Sequence, residues 1–285
     1  MIPAPATSVA GETDIQSASR HRFGLSTARW EALRGQWFWV TGAGTGYGRA
    51  ITLALAAAGA RLILSGRRKA ILAAVLEEAA SMGSTPGDGR VLPVDLNDRE
   101  AIEAACDAVA DFTASSGLSG LAHCAAKPPP GGRSPSTEEL WPDWDAVMNP
   151  NVRAAWYILR RVFPALDHNG HPRVILLGSE AGWRGGHCAG LYGVSKAALN
   201  GLVQTLAEEY GARYPELDLQ INLLEPGEAR TEMNTASPYS PNLVIGMALL
   251  LLSHPRGGPT GRFFHRDGRH LAFGHTPPHD FRLDG

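Results

Sequence analysis

From Gln36 to Arg266 the chain alternates short apolar runs with longer stretches rich in alanine and leucine. WFWVTG, from Trp37, is a β-prone run ending in glycine, and GRAITLALAAAGA after it reads as a helix closed by a glycine cap. RLILSG at 61–66 predicts a second strand. The alternation continues with a helix over 69–82, a strand near 91–95, a helix over 98–115 and a strand near 118–125. After a Pro/Gly-rich loop from Lys127 to Ser136 it predicts a helix over about 141–166, a strand over 173–179 and a helix over 190–213. A strand over 219–226, a helix over 242–252 and a final strand around 260–266 complete it. Such alternation implies right-handed βαβ crossovers, hence a parallel sheet of about seven strands between two helical layers, an α/β fold. Residues 1–28, rich in Ala, Ser, Thr and Pro without sustained period, are expected to be a flexible leader to one domain over 29–285.

Composition narrows the function. Apolar residues make up 44% of the 285, enough for a well-filled core, and the net charge of -2 provides no field for nucleic acid or an anionic membrane surface. The longest apolar run, MALLLL at 247–252, falls far short of the roughly 20 residues a membrane helix needs, and the N-terminus has no basic start followed by an apolar stretch. Cys106, Cys124 and Cys188 form no CxxC pair, so neither a disulfide framework nor a zinc site is expected. His275 and His279 have helical spacing but flank Pro277 and Pro278, which argues against a metal pair. The expectation is a soluble cytoplasmic protein with no metal, nucleic-acid or membrane partner.

Two segments carry chemistry. TGAGTGYG, from Thr41 to Gly48, lies between a strand and a helix, where glycines let the backbone approach a pyrophosphate whose charge the helix N-terminus stabilises. At the end of the second strand, where NAD-binding proteins usually carry a carboxylate for the ribose hydroxyls, stand Gly66, Arg67 and Arg68. A guanidinium there pairs with a 2′-phosphate, so NADP(H) is expected over NAD(H), although the arginines also suit a solvated helix start. In the second segment, Tyr192 and Lys196 are four apart on a helix and share a face, thirteen residues or more after Ser179 at a strand end.

Together these motifs resemble the short-chain dehydrogenase/reductase family over about residues 35–270. The matches are TGxxxGxG at 41–48, Asp95 after the third strand, Ser179, YxxxK at 192 and 196, and Pro226, Gly227 and Thr231 of PGxxxT. The resemblance implies a Rossmann-type doubly wound sheet and hydride transfer between NADP(H) and a small carbonyl or secondary alcohol. In this scheme Tyr192 is the acid/base, Lys196 lowers its pKa and holds the nicotinamide ribose, and Ser179 hydrogen-bonds the substrate oxygen. Asn151, aligned on Trp144 and Ala154, falls on the family's fourth catalytic group; Asn149 is the other candidate, and Pro150 is expected to kink the helix between them. Carried over to cofactor binding are Thr41, Gly42, Gly44, Thr45, Gly46, Tyr47, Gly48, Arg67, Arg68, Asp95, Leu96, Ala125, Tyr192, Lys196, Pro226, Gly227 and Thr231. Trp183, Arg184 and His187 fall in a loop that borders substrate in relatives. A homodimer or homotetramer is implied as well.

The chain also departs from the pattern. His123, Cys124, Ala125 and Ala126 replace the family's Asn-Asn-Ala-Gly, and are expected to form a rewritten buttress, with Cys124 a small buried hydrophobe. Glu225 stands before Pro226 where relatives often have an uncharged residue, and either tunes the substrate pocket or points to solvent. The segment between Thr231 and Asn242, where relatives build a lid, is short. A non-catalytic NADP(H) sensor on the same fold is the alternative reading.

Overall fold

The computed structural model describes residues 15–82, 89–128, 135–166, 171–183 and 189–271. Eight strands form one sheet: β1 Trp37–Thr41, β2 Arg61–Gly66, β3 Gly89–Pro93, β4 Gly120–His123, β5 Arg173–Leu177, β6 Gln220–Glu225, β7 Phe263–His265 and β8 His270–Leu271. Their order is β3-β2-β1-β4-β5-β6-β7-β8, parallel except for the β7–β8 hairpin. This is the doubly wound α/β sheet expected, with one short strand added at the edge. β1 is buried along its whole length, as a continuous apolar run requires of a central parallel strand. The one polar atom Trp39 brings to that core is satisfied, its Nε1 donating to Ser65 Oγ at 2.8 Å.

Helices α3 Gly46–Ala57, α4 Lys69–Ser81 and α9 Ile245–Leu252 cover one face, and α5 Arg99–Thr113, α7 Ala154–Leu166 and α8 Gly190–Arg213 the other. α5 illustrates how sequence sets this. Asp98 Oδ1 accepts from Ala101 N at 3.1 Å to cap the helix, and Ile102, Ala105, Cys106 and Val109 form its buried stripe.

Two expectations change. Of the segment 1–28 expected to be a flexible leader, residues 1–14 lie outside the described residues, and from Ile15 on it is folded: α1 Ile15–Arg20, α2 Thr27–Glu31 and the turn between them bury Ile15, Leu25 and Trp30 in the cluster under α3 and α9. A few large apolar side chains anchor it, spaced too irregularly to register as a period. The single helix expected over 141–166 is broken into α6 Trp141–Met148, a π turn Asn149–Arg153, and α7. Pro150 lacks an N–H, and Ala154 N donates five residues back to Asn149 O, widening the helix at the point where Asn151 is wanted inside.

Candidate active site

The sheet reverses its winding between β1 and β4, and a cleft of about 1100 Å³ opens beyond the carboxyl ends of β1, β4, β5 and β6. One wall is the glycine turn. A Cβ on Gly48 would collide with Gly42 O, so α3 can approach the turn this closely only with glycine there. Arg67, Arg68, Asp95 and Leu96 line the same cleft toward β2 and β3. The amides of Asn97 hold the Asp95 carboxyl below its usual range, helped by the charges of Arg67 and Lys127.

Opposite the glycine turn lie Ser179, Tyr192 and Lys196. Lys196 is buried; its Nζ lies 5.7 Å from the Tyr192 ring centroid and donates to Leu177 O at 2.8 Å. Burial pulls its pKa down to about 8, with a small opposing effect of Cys124. Asn151 is fully buried beside this group. Its Oδ1 accepts from Lys127 N at 2.7 Å, while Nδ2 donates to Lys127 O at 2.9 Å and to Ser195 Oγ at 3.0 Å. Ser195 Oγ in turn donates to Tyr192 O at 2.7 Å, so the π turn is tied to the helix that carries the tyrosine. Asn149 serves the backbone of the π turn through its carbonyl. Ser195 and Lys127 were invisible as site supports in the sequence, because their partners lie 44 and 24 residues away from them in the chain.

The third wall is the Pro226–Gly227 turn. Tyr47 Oη donates to Gly227 O at 2.6 Å, and burial holds that phenol well above its usual pKa, so it stays a donor. Glu225 does not point to solvent: it is buried, Oε1 accepts from Gly227 N at 2.9 Å, and Oε2 lies 3.2 Å from His265 Nε2. Arg266 Nη1 donates to Pro226 O and Glu228 O. These contacts occupy both polar backbone groups of Gly227 and hold the turn as a rigid wall. Trp183, expected in the loop that borders substrate in relatives, is partly buried against the sheet core, edge-on to Phe263 at 4.9 Å, and is not among the described residues lining the cleft. Arg184, His187, Cys188, His275 and His279 lie outside the described residues.

The rewritten end of β4 acts as a buttress. His123 Nδ1 and Thr41 Oγ1 share a 3.0 Å hydrogen bond between β4 and β1, and Thr41 Oγ1 also accepts from Ala125 N. Burial pushes the Cys124 thiol up to about 12, so it is no nucleophile at neutral pH. Burial, then the charge of Lys196, lowers His123 from 6.5 to about 3. Between those values the unfolded chain binds a proton that the folded chain refuses, so this group makes stability fall as pH drops below 6.5, by about 1.4 kcal/mol per unit. Urea unfolding of wild type and His123→Asn at pH 7 and pH 5 should therefore show the variant gaining on wild type by about 2 kcal/mol at the lower pH. An unchanged difference would place the imidazole in a solvated setting.

A family model described as short chain dehydrogenase matches residues 36–240. The chain belongs to the short-chain dehydrogenase family. Within it, the chain is 30% identical over 261 residues to an uncharacterized oxidoreductase of Mycobacterium tuberculosis, covering 82% of this chain and 90% of that one. It is 33% identical to galactitol 2-dehydrogenase (L-tagatose-forming) of Cereibacter sphaeroides over 72% of this chain and 75% of that enzyme. Among solved structures, a short chain dehydrogenase from Pseudomonas syringae superposes with a TM-score of 0.75 at 29% identity, covering 83% of this chain and 96% of that one. One from Shigella flexneri complexed with NADP superposes with 0.74 at 26% identity, covering 83% and 99%. This short-chain dehydrogenase is thus an NAD(P)-dependent oxidoreductase. Among its described residues no group of three or more metal-ligating side chains occurs, and no helix is long and apolar enough to cross a membrane.

Proposed function

We propose that this short-chain dehydrogenase transfers a hydride between NADP(H) and a small carbonyl compound or secondary alcohol, using Ser179, Tyr192, Lys196 and Asn151. The observation that carries the reading is that Tyr192 and Lys196 rise from one helix into the cleft whose other wall is the glycine turn. That cleft fits a dinucleotide. A glycine turn at the N-terminus of a twelve-residue helix offers backbone N–H groups and a positive dipole to a pyrophosphate, and Arg67 and Arg68 stand at the far end. Thr41, Gly42, Gly44, Thr45, Gly46, Tyr47 and Gly48 would hold the phosphates, Asp95, Leu96 and Ala125 the adenosine side, and Pro226, Gly227 and Thr231 the nicotinamide end. The nicotinamide supplies the hydride when bound.

The chain's own residues handle the proton. As the carbonyl carbon gains hydride its oxygen gains negative charge, and Tyr192 gives that oxygen a proton while Ser179 Oγ donates a hydrogen bond to it. The Lys196 ammonium beside the ring favours the phenolate left behind. Asn151, through Ser195, fixes the backbone of Tyr192, so the phenol is aimed before substrate arrives. The galactitol 2-dehydrogenase relative acts, by its name, at a secondary alcohol of a polyol, which supports the alcohol/ketone class. A homodimer or homotetramer belongs to the same reading, with Trp156 of α7 and Val194 of α8 exposed on the helices that would meet. So does a cytoplasmic location, where the free thiols Cys106 and Cys124 would stay reduced.

Cofactor choice is tested by kcat/KM for NADPH and for NADH with one carbonyl substrate. The expected ratio favours NADPH by about tenfold or more, the value of one added charge-assisted contact. A ratio below one would reverse the assignment of Arg67 and Arg68.

A further inference from the structure

Arg68 already holds a carboxylate. Its Nη2 donates to both carboxylate oxygens of Glu232, at 2.8 and 2.7 Å, although the two residues lie 164 apart in the chain. They stand on opposite lips of the cleft, Arg68 after β2 and Glu232 after β6. The position of Glu232 is built rather than incidental. Thr231 and Asn234 exchange two backbone hydrogen bonds of 3.1 Å, which makes residues 231–234 a tight turn with Glu232 near its tip. That turn packs onto the phosphate-binding loop: Gly46 has φ +54°, and a Cβ there would lie 3.0 Å from Thr231 Cγ2. Asn234 Nδ2 bonds Glu228 rather than Glu232, so among the described residues the Glu232 carboxylate pairs with Arg68. Arg67 is differently placed, near enough to Asp95 for its charge to lower that carboxyl.

Resting on the NADP(H) reading, we propose that Glu232 is a cofactor-specificity residue whose carboxylate competes with the 2′-phosphate for Arg68. With Nη2 held by Glu232, a phosphate dianion meets only part of the guanidinium's donor fork, and it also meets the carboxylate's negative charge. A ribose with a free 2′-hydroxyl makes no such demand and leaves the pair intact. Glu232 therefore weakens binding of 2′-phosphorylated nucleotides selectively and narrows the gap between NADP(H) and NAD(H). Both side chains are about half exposed, so the competition is moderate: Glu232→Gln should tighten 2′-phosphate binding about three- to tenfold.

The test is calorimetric titration of the full-length protein with 2′,5′-ADP and with ADP, for wild type, Glu232→Gln, Arg68→Met and the double variant. The expected result is a three- to tenfold gain for 2′,5′-ADP in Glu232→Gln, no change for ADP, and loss of most of that gain when Arg68 is already Met. Equal gains for both nucleotides in Glu232→Gln, no gain for 2′,5′-ADP in that variant although wild type prefers 2′,5′-ADP to ADP, or a gain that survives intact in the Arg68→Met background would each overturn the role of Glu232. A wild type that binds ADP as tightly as 2′,5′-ADP would instead overturn the NADP(H) reading, and this inference with it.

Discussion

Tyr192→Phe is expected to lower kcat/KM for carbonyl reduction by about 10²- to 10⁴-fold while changing NADPH affinity by less than about twofold. The phenyl ring fills the same space, so the cleft wall and the 5.7 Å approach of Lys196 to the ring are kept, and only the exchangeable proton goes. The main-chain carbonyl that Ser195 bonds is untouched, so Asn151 and the π turn should hold their places. Fluorescence titration with NADPH beside steady-state rates separates the two effects. A variant that keeps more than about a tenth of wild-type kcat/KM would show that another group delivers the proton.

Lys196→Met is expected to act in opposite directions on activity and stability. Without the cation the phenolate loses its support, and kcat/KM should fall about 10²- to 10³-fold. Stability is governed by the burial that pulls the ammonium from 10.5 to about 8. Below pH 8 the folded chain carries the full cost of a buried charge; between 8 and 10.5 it sheds its proton before the unfolded chain does, and wild-type stability rises; above 10.5 the cost is gone. At pH 7 that cost is about 3 kcal/mol, against which Met leaves Leu177 O without its donor, worth about 1–2 kcal/mol. The variant should therefore be more stable than wild type by about 1–2 kcal/mol at pH 7, and the advantage should be gone or reversed by pH 10, where less than about 1 kcal/mol of the charge cost remains. Denaturant midpoints at pH 7 and pH 10 check this. A variant less stable at pH 7 would mean that the ammonium is solvated or paired more strongly than its bond to Leu177 O implies. The residue at the centre of the proposed chemistry would thus be one the fold tolerates at a cost.

How far the sequence could be read differs from element to element for physical reasons. β2 and α8 were legible to the residue, since RLILSG is bounded by a glycine cap and an Arg pair, and 190–213 contains no proline, its internal glycines being outweighed by Ala, Leu, Glu and Lys. The doubly wound order follows from alternation and from the glycine turn after β1, which together leave few topologies. The N-terminal helices were missed because Ile15, Leu25 and Trp30 are three anchors without a repeat, and their burial depends on a surface formed by α3 and α9 far along the chain. Pro150 announced a break, while the π turn it became depends on Asn151 finding Lys127 and Ser195. The pairs Arg68–Glu232 and Glu225–His265 join residues 164 and 40 apart, a relation that no local period encodes. Motif alignment could bring Ser179, Tyr192, Lys196 and the glycine turn onto one list, and the fold brings them onto one cleft. It had no means of showing that Trp183 packs edge-on against Phe263.

Turnover decides whether this cleft performs NADPH-dependent chemistry or only binds the nucleotide. The most direct measurement is NADPH consumption by the wild-type protein across a panel of ketones, aldehydes and quinones. Substrate-dependent oxidation of NADPH, with one alcohol formed per NADPH consumed, is the predicted result. Saturable NADPH binding with no consumption across the whole panel would contradict it and make the protein a nucleotide sensor built on a dehydrogenase fold.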